Sequence, residues 1–159
     1  MDDLTLITSV WEKTNTASAA FAELARCLLA NPGYRILSVS RWEPTSQHLH
    51  RVFSTDEAVY PVGGRKQKLP SEWSDVVLKA MKPHISPDIE TIRRHFDDHR
   101  LIESIGISAI LNIPIVDGTN CLGTMNLLRS SGSYAQTDID RALVAGMKLR
   151  DVLLYLQTT

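Results

Sequence analysis

The sequence predicts an α+β domain, an antiparallel sheet with helices from both ends of the chain packed on it. Three observations predict this class. Apolar residues recur at helical spacing near both ends, two pairs of β-rich runs each enclose a turn signal, and the long segment between the pairs has a helical pattern of its own. The chain has 159 residues, and a domain typically takes about 100–200. A single domain over residues 1–159 is therefore expected.

At the start, Leu4, Ile7, Trp11, Phe21, Leu24 and Leu28 fall on one helical face, which predicts an N-terminal helix over 2–30. Thr14-Asn15-Thr16 is a poorly helical polar patch and the place for a kink or a break. Asn31-Pro32-Gly33 stops the helix, since proline cannot continue it and glycine accepts left-handed geometry. Tyr34–Trp42 and His48–Ser54, separated by the turn-prone Glu43-Pro44-Thr45-Ser46, read as a hairpin. The connection from Thr55 to Gly106 is too long to lack structure. Two short helices are expected there. One runs from Ser71 to Met81; the other starts at Ser86-Pro87 and carries Ile89, Ile92, Phe96, His99 and Ile102 on one stripe. Ser108–Val116 and Leu122–Arg129, joined by Asp117-Gly118-Thr119-Asn120, form a second hairpin, which ends the sheet-and-insert region 34–129. Thr137-x-x-Asp140 resembles a capping box and opens a C-terminal helix over 137–157. Pro114 is awkward in a central ladder and predicts an edge or a bulge.

Ile139, Ala142, Gly146, Leu149, Leu153 and Leu156 form one stripe of the last helix, with Leu143, Met147 and Leu154 off it. One sheet needs only one stripe. The excess predicts contact with a second helix, either from this chain or from another subunit. A homodimer through the terminal helices is expected, symmetric dimers being the commonest assemblies.

Alternation gives the sheet two unlike faces. Ala109, Leu111, Ile113, Ile115, Met125, Leu127, Leu37 and Val39 make an apolar side for the terminal helices. Ser38, Ser40, Trp42, Asn112, Thr124 and Asn126 mark a polar one. Antiparallel sheets can leave such a face in water. The insert, however, carries Tyr60, Trp73, Phe96 and an isoleucine stripe that need something to cover. The expected arrangement is an insert folded over the polar face, enclosing a polar-lined cavity.

Lys and Arg total 17 against 18 Asp and Glu, a formal charge of −1, so a globally basic nucleic-acid binder is excluded. No run reaches the ~18 apolar residues of a membrane span. The acidic Met1-Asp2-Asp3 start does not read as a secretory signal, and Cys27 and Cys121 form no CxxC pair. A cytoplasmic setting without membrane or nucleic-acid partners is expected.

The run Ser108-Ala109-Ile110-Leu111-Asn112-Ile113-Pro114-Ile115, followed by Leu122-Gly123-Thr124-Met125-Asn126-Leu127-Leu128, resembles the late strands of GAF domains. Tyr60-Pro61-Val62-Gly63-Gly64-Arg65-Lys66 and Phe96-Asp97-Asp98-His99 look like a branch of small stand-alone bacterial GAF proteins, and the likeness spans roughly residues 16–157. It implies a five- to six-stranded antiparallel sheet, both terminal helices on one face, a helical insert over the other, a ligand pocket beneath the insert and dimers. It also implies a sensory role toward a small molecule. The Asn-Lys…Phe…Asp-Glu signature of cyclic-nucleotide binders is absent, and neither cysteine stands in a bilin-attachment context. No cofactor is assigned. No output segment is recognised in these residues, and signalling is expected to pass through partners.

Gly63-Gly64-Arg65-Lys66-Gln67-Lys68 is the candidate binding loop, its glycines letting backbone amides converge and its cations favouring an anion. A solvated basic turn is the alternative. His95 and His99 stand four apart but lack further ligands for a metal. His99 shares the stripe of Ile92 and Phe96 and should point inward, while His48 and His50 read as a surface pair. The expected pocket residues are Trp42 and Tyr60 for stacking, Arg65 and Lys66 for an anionic group, Asn112 and Asn126 to fix orientation, and Trp73 and His99 beside them. The expected function is a binding module without catalysis. The alternatives are a cysteine-dependent enzyme of the free methionine sulfoxide reductase type using Cys121, and a ligand-free dimerisation scaffold.

Overall fold

A computed structural model describes residues 3–158. The N-terminal segment forms two helices, α1 (Thr5–Thr14) and α2 (Ala17–Ala30). They separate at Asn15, which adopts φ +49° while its N–H donates to the Trp11 carbonyl at 2.8 Å. Asparagine tolerates this left-handed geometry better than most side chains. Asp2, where the sequence begins this helix, lies outside the described residues. Strands β1 (Ile36–Glu43) and β2 (His48–Ser54) form the expected first hairpin. The second comprises β5 (Ala109–Asp117) and β6 (Asn120–Arg129). It turns through Gly118-Thr119, with Gly118 at φ +59°.

The insert holds more than two helices. A three-residue strand β3 (Arg65–Gln67) pairs with β2, and another, β4 (His84–Ser86), pairs with β5. A helical turn α3 (Glu72–Ser74), capped by the Ser71 hydroxyl accepting from the Ser74 N–H, continues as a π-helical turn over Asp75–Lys79. The expected second helix is divided into α4 (Ile89–His95) and α5 (His99–Ser104). Asp88 caps α4 in the role expected of Ser86, and Phe96 is extended between the two helices.

The sheet is six-stranded, in the order β3-β2-β1-β6-β5-β4, with every neighbouring pair antiparallel. Pro114 sits opposite Thr124 of β6, beyond the reach of β4, which pairs only with residues 110–112. The missing N–H therefore falls where β5 is locally an edge, beside an irregularity at Ile115/Val116.

The C-terminal segment also breaks in two, α6 (Gln136–Met147) and α7 (Arg150–Gln157). Its opening cap differs from the Thr137 pattern: Asp138 Oδ2 accepts from the Ala135 N–H at 2.8 Å. All four terminal helices cover the apolar face, where Leu24, Leu28, Leu37, Leu111, Ile113, Leu149 and Leu153 form one core. Part of the excess apolar surface finds a helix of the same chain, as Trp11 and Tyr155 meet with ring centroids 5.4 Å apart. Gly146 lets α6 approach the sheet, since a Cβ there would lie 3.0 Å from Ile113 Cγ2. A second core lies on the opposite face, where Trp73, Val77, Ile92, Phe96 and Ile102 of the insert pack on Ile36, Ile110 and Leu128. The insert covers the polar face.

Candidate functional site

The two faces meet the insert differently because of register. Ser38, Asn126, Asn112 and His84 stand opposite one another across β1, β6, β5 and β4, forming one lateral row. The first three are linked by hydrogen bonds: Asn126 Nδ2 donates to Ser38 Oγ at 3.2 Å, and Asn112 Nδ2 donates to Asn126 Oδ1 at 2.8 Å. From the roof, Trp73 Nε1 donates to Asn112 Oδ1 at 3.0 Å. Indole N–H is a donor only, so this contact fixes the orientation of Asn112, which in turn fixes Asn126. Asn112 is 2% exposed.

Between this floor and the insert lies a cavity of ≈ 90 Å³. Leu49, Phe96, Ile102, Ile110 and Leu128 supply its apolar walls. Its polar lining comes from Ser38, Ser40, Asn112 and Asn126 below, and from Arg51, Tyr60, Lys66, Lys68, Trp73 and Asp98 around and above. Asp98 is the hub of one wall: its carboxylate accepts from Lys66 Nζ at 3.0 Å and from the Tyr60 hydroxyl at 3.2 Å. Burial alone would raise the Asp98 carboxyl, but the Lys66 charge and these hydrogen bonds prevail and hold it below the usual carboxylate range. Burial and the Asp98 charge push the Tyr60 phenol up. The Arg51 guanidinium lies over the Tyr60 ring, 4.7 Å from its centroid.

Lys68 is placed differently. Its Nζ lies 4.3 Å from the Trp73 ring centroid and 5.5 Å from that of Phe96. Among the described residues no carboxylate oxygen lies within ion-pairing distance of it. Burial first, and then the neighbouring Lys66 charge, lower its ammonium to about 8, against a smaller opposing pull from Asp98 and Asp97.

Five of the residues expected from the sequence line this cavity: Tyr60, Lys66, Trp73, Asn112 and Asn126. Three are placed elsewhere. Trp42 lies four residues along β1 from Ser38, about 13 Å at strand rise, and borders a separate recess with Leu78, Cys121 and Leu154. Arg65 is exposed, because alternation along β3 turns Lys66 toward the cavity and Arg65 away from it. His99 loses its place on the stripe because the chain is extended at Phe96; its Nδ1 faces Glu103 Oε2 at 3.2 Å on the half-exposed side of α5. Gly64 borders the cavity, but the N–H groups of both glycines are bonded to neighbouring carbonyls. Gly63 N–H donates to Arg51 O at 2.8 Å and Gly64 N–H to Pro61 O at 3.2 Å. A Cβ at Gly64 would lie 2.6 Å from Arg51 Nη1, so this glycine makes room for the guanidinium.

Sequence reasoning missed Arg51 and Asp98, and placed Lys68 in the candidate loop without naming it as a pocket residue. The i, i+2 relation of Lys66 and Lys68 beside a strand was the available signal for Lys68. Both cysteines are free thiols. Burial pushes the Cys121 thiol up to about 11, and burial with the nearby Asp3 charge does the same for Cys27. No group of three metal-ligating side chains exists among the described residues, and no helix among them is long and apolar enough to cross a membrane.

No protein-family model matches the sequence, and no curated protein matches it. Solved structures do. The phycocyanobilin-bound GAF domain of a cyanobacterial phytochrome is similar with a TM-score of 0.75 at 13% identity, over 96% of this chain and 92% of that one. The GAF domain of a phosphoenolpyruvate-protein phosphotransferase from Coxiella burnetii gives 0.74 at 13% identity, covering 98% and 93%. The GAF domain of a two-component sensor histidine kinase from Bacillus halodurans gives 0.68 at 14% identity, covering 87% and 95%. The chain has the GAF-domain fold, with the helical insert over one face of the sheet.

Proposed function

We propose that this GAF-fold chain is a sensory or regulatory module that binds a small molecule bearing an anionic group, and performs no catalysis of its own. The observation that carries the reading is the roofed cavity, with a hydrogen-bonded carboxamide floor, aromatic and apolar walls, and three cations facing one carboxylate. A few convergent polar groups in an apolar hollow are the usual form of a ligand site. Tyr60, Lys66, Trp73, Asn112 and Asn126 are its contacts, joined by Ser38, Arg51 and Lys68. The phytochrome neighbour carries phycocyanobilin on the same fold. At ≈ 90 Å³ the cavity here suits a far smaller molecule.

A ligand touching both floor and roof would favour one packing of the insert over another, and the sheet would pass that preference to the helices on its far side. The terminal helices expose Leu6, Leu29, Val144, Met147 and Tyr155, with Met147 70% exposed, which supports a homodimer through this surface. Native mass spectrometry of freshly purified protein reads both points. The expected result is a dimer mass that carries an additional small species. An empty monomer that no small molecule stabilises against heat would contradict the reading.

A further inference from the structure

We infer that the ligand is a compact oxyanion, a carboxylate or phosphate, held by Lys68 and Arg51 above the Ser38–Asn126–Asn112 row. This rests on the proposed binding role of the cavity and specifies what the cavity takes.

The hydrogen-bonding groups of the lining divide unequally into acceptors already used and donors still free. Each carboxamide oxygen of the floor accepts a bond, Asn112 Oδ1 from Trp73 and Asn126 Oδ1 from Asn112. Ser38 Oγ accepts from Asn126 and keeps its own proton to give. The carboxylate of the lining, Asp98, is taken by Lys66 and Tyr60. Apart from the Ser40 hydroxyl, which can donate or accept, what remains is donors. Arg51 borders the cavity, and its guanidinium makes one hydrogen bond among the described residues, from Nη1 to the Pro61 carbonyl at 3.1 Å. The Lys68 ammonium rests on two aromatic faces, with no oxygen bonded to it among the described residues. Buried donors without acceptors are costly, and a ligand rich in acceptor oxygens relieves several at once.

Charge and space agree with this count. Asp98 neutralises Lys66, leaving Arg51 and Lys68 as uncompensated positive charge on the lining. A cationic ligand would meet that charge, and the Trp73 and Tyr60 faces are already covered by Lys68 and Arg51. The volume of ≈ 90 Å³ is enough for an anionic group of a few heavy atoms. The charged and titratable groups around Lys68 are Lys66 beside it, Asp97 and Asp98 before α5, and His84 on β4. Burial and His95 keep the His84 ring at about 4, so it is neutral near pH 7 and does not compete for the anion.

Isothermal titration with malonate, inorganic phosphate and neutral malonamide tests the inference. Saturable binding of malonate or phosphate is expected, and which of the two binds separates the carboxylate from the phosphate source; malonamide should not bind. Lys68→Met should weaken binding roughly tenfold or more, while Arg65→Met, which removes a cation facing away, should leave it unchanged. Only the ammonium form of Lys68 attracts the anion, so malonate affinity should fall about tenfold between pH 7 and pH 9. Equal binding of malonamide, unchanged affinity in Lys68→Met, an equal loss in Arg65→Met, or no oxyanion binding would overturn it. The last result together with a neutral species in the native mass spectrum would overturn only the ligand class, and leave the binding role standing.

Discussion

Trp73→Ala is expected to lower unfolding stability by about 3–5 kcal/mol, read as a shift in the urea midpoint. The indole is 2% exposed and belongs to the core between insert and sheet. Its removal leaves a hole beneath the roof, takes the donor from Asn112 Oδ1 and withdraws one of the two rings under Lys68. Trp73→Phe separates these effects. It keeps most of the volume but leaves the Asn112 oxygen unpaired in a buried place, at a cost of about 1–3 kcal/mol. A loss below about 1 kcal/mol for the alanine variant would mean that the insert does not pack on the floor as described.

Gly123→Ala should be of similar severity, about 3 kcal/mol, for the opposite reason of overpacking. Gly123 pairs with Arg41 on β1 and with Ile115 on β5, in the middle of the sheet. An added Cβ would lie 2.1 Å from the Ser40 carbonyl oxygen and 3.0 Å from Leu153 Cδ1. The first contact is with backbone, so no rotamer change relieves it, and β1 must move away from β6. Because Ser38 and Ser40 lie on β1, the variant should also disturb the cavity floor. Thermal unfolding near the parent temperature, with floor hydrogen bonds intact by amide exchange, would count against this account of the strand spacing.

The larger elements were legible because their physical signals are long. Apolar periodicity sustained over several turns marks the helices near the two ends, and Asp117-Gly118 announces the second hairpin. Alternation alone sorts Leu37, Leu111 and Met125 from Ser38, Asn112 and Asn126, so the two faces are assigned by the sequence pattern. Edge strands such as Arg65–Gln67 and His84–Ser86 were not legible, since three residues contain no pattern. The same limit hid part of the site. Lys68 and Arg65 look alike in a basic run, and only the pairing of β3 with β2 decides which faces inward. His99 illustrates the reverse case, in which the periodicity is real but runs across a break. One extended residue, Phe96, was enough to move it from the stripe to the surface. Arg51 gives no local signal at all, because its role depends on the space that Gly64 leaves for it.

Side-chain amide exchange in ¹⁵N-labelled protein gives the most direct reading of whether the middle segment shelters the hydrophilic strand surface. The Asn112 carboxamide, enclosed under Trp73 and bonded on both sides, should exchange orders of magnitude more slowly than the exposed Asn120 side chain. Exchange of Asn112 at the rate of Asn120 would show water moving freely where the roof should stand, and the proposed chamber would be lost.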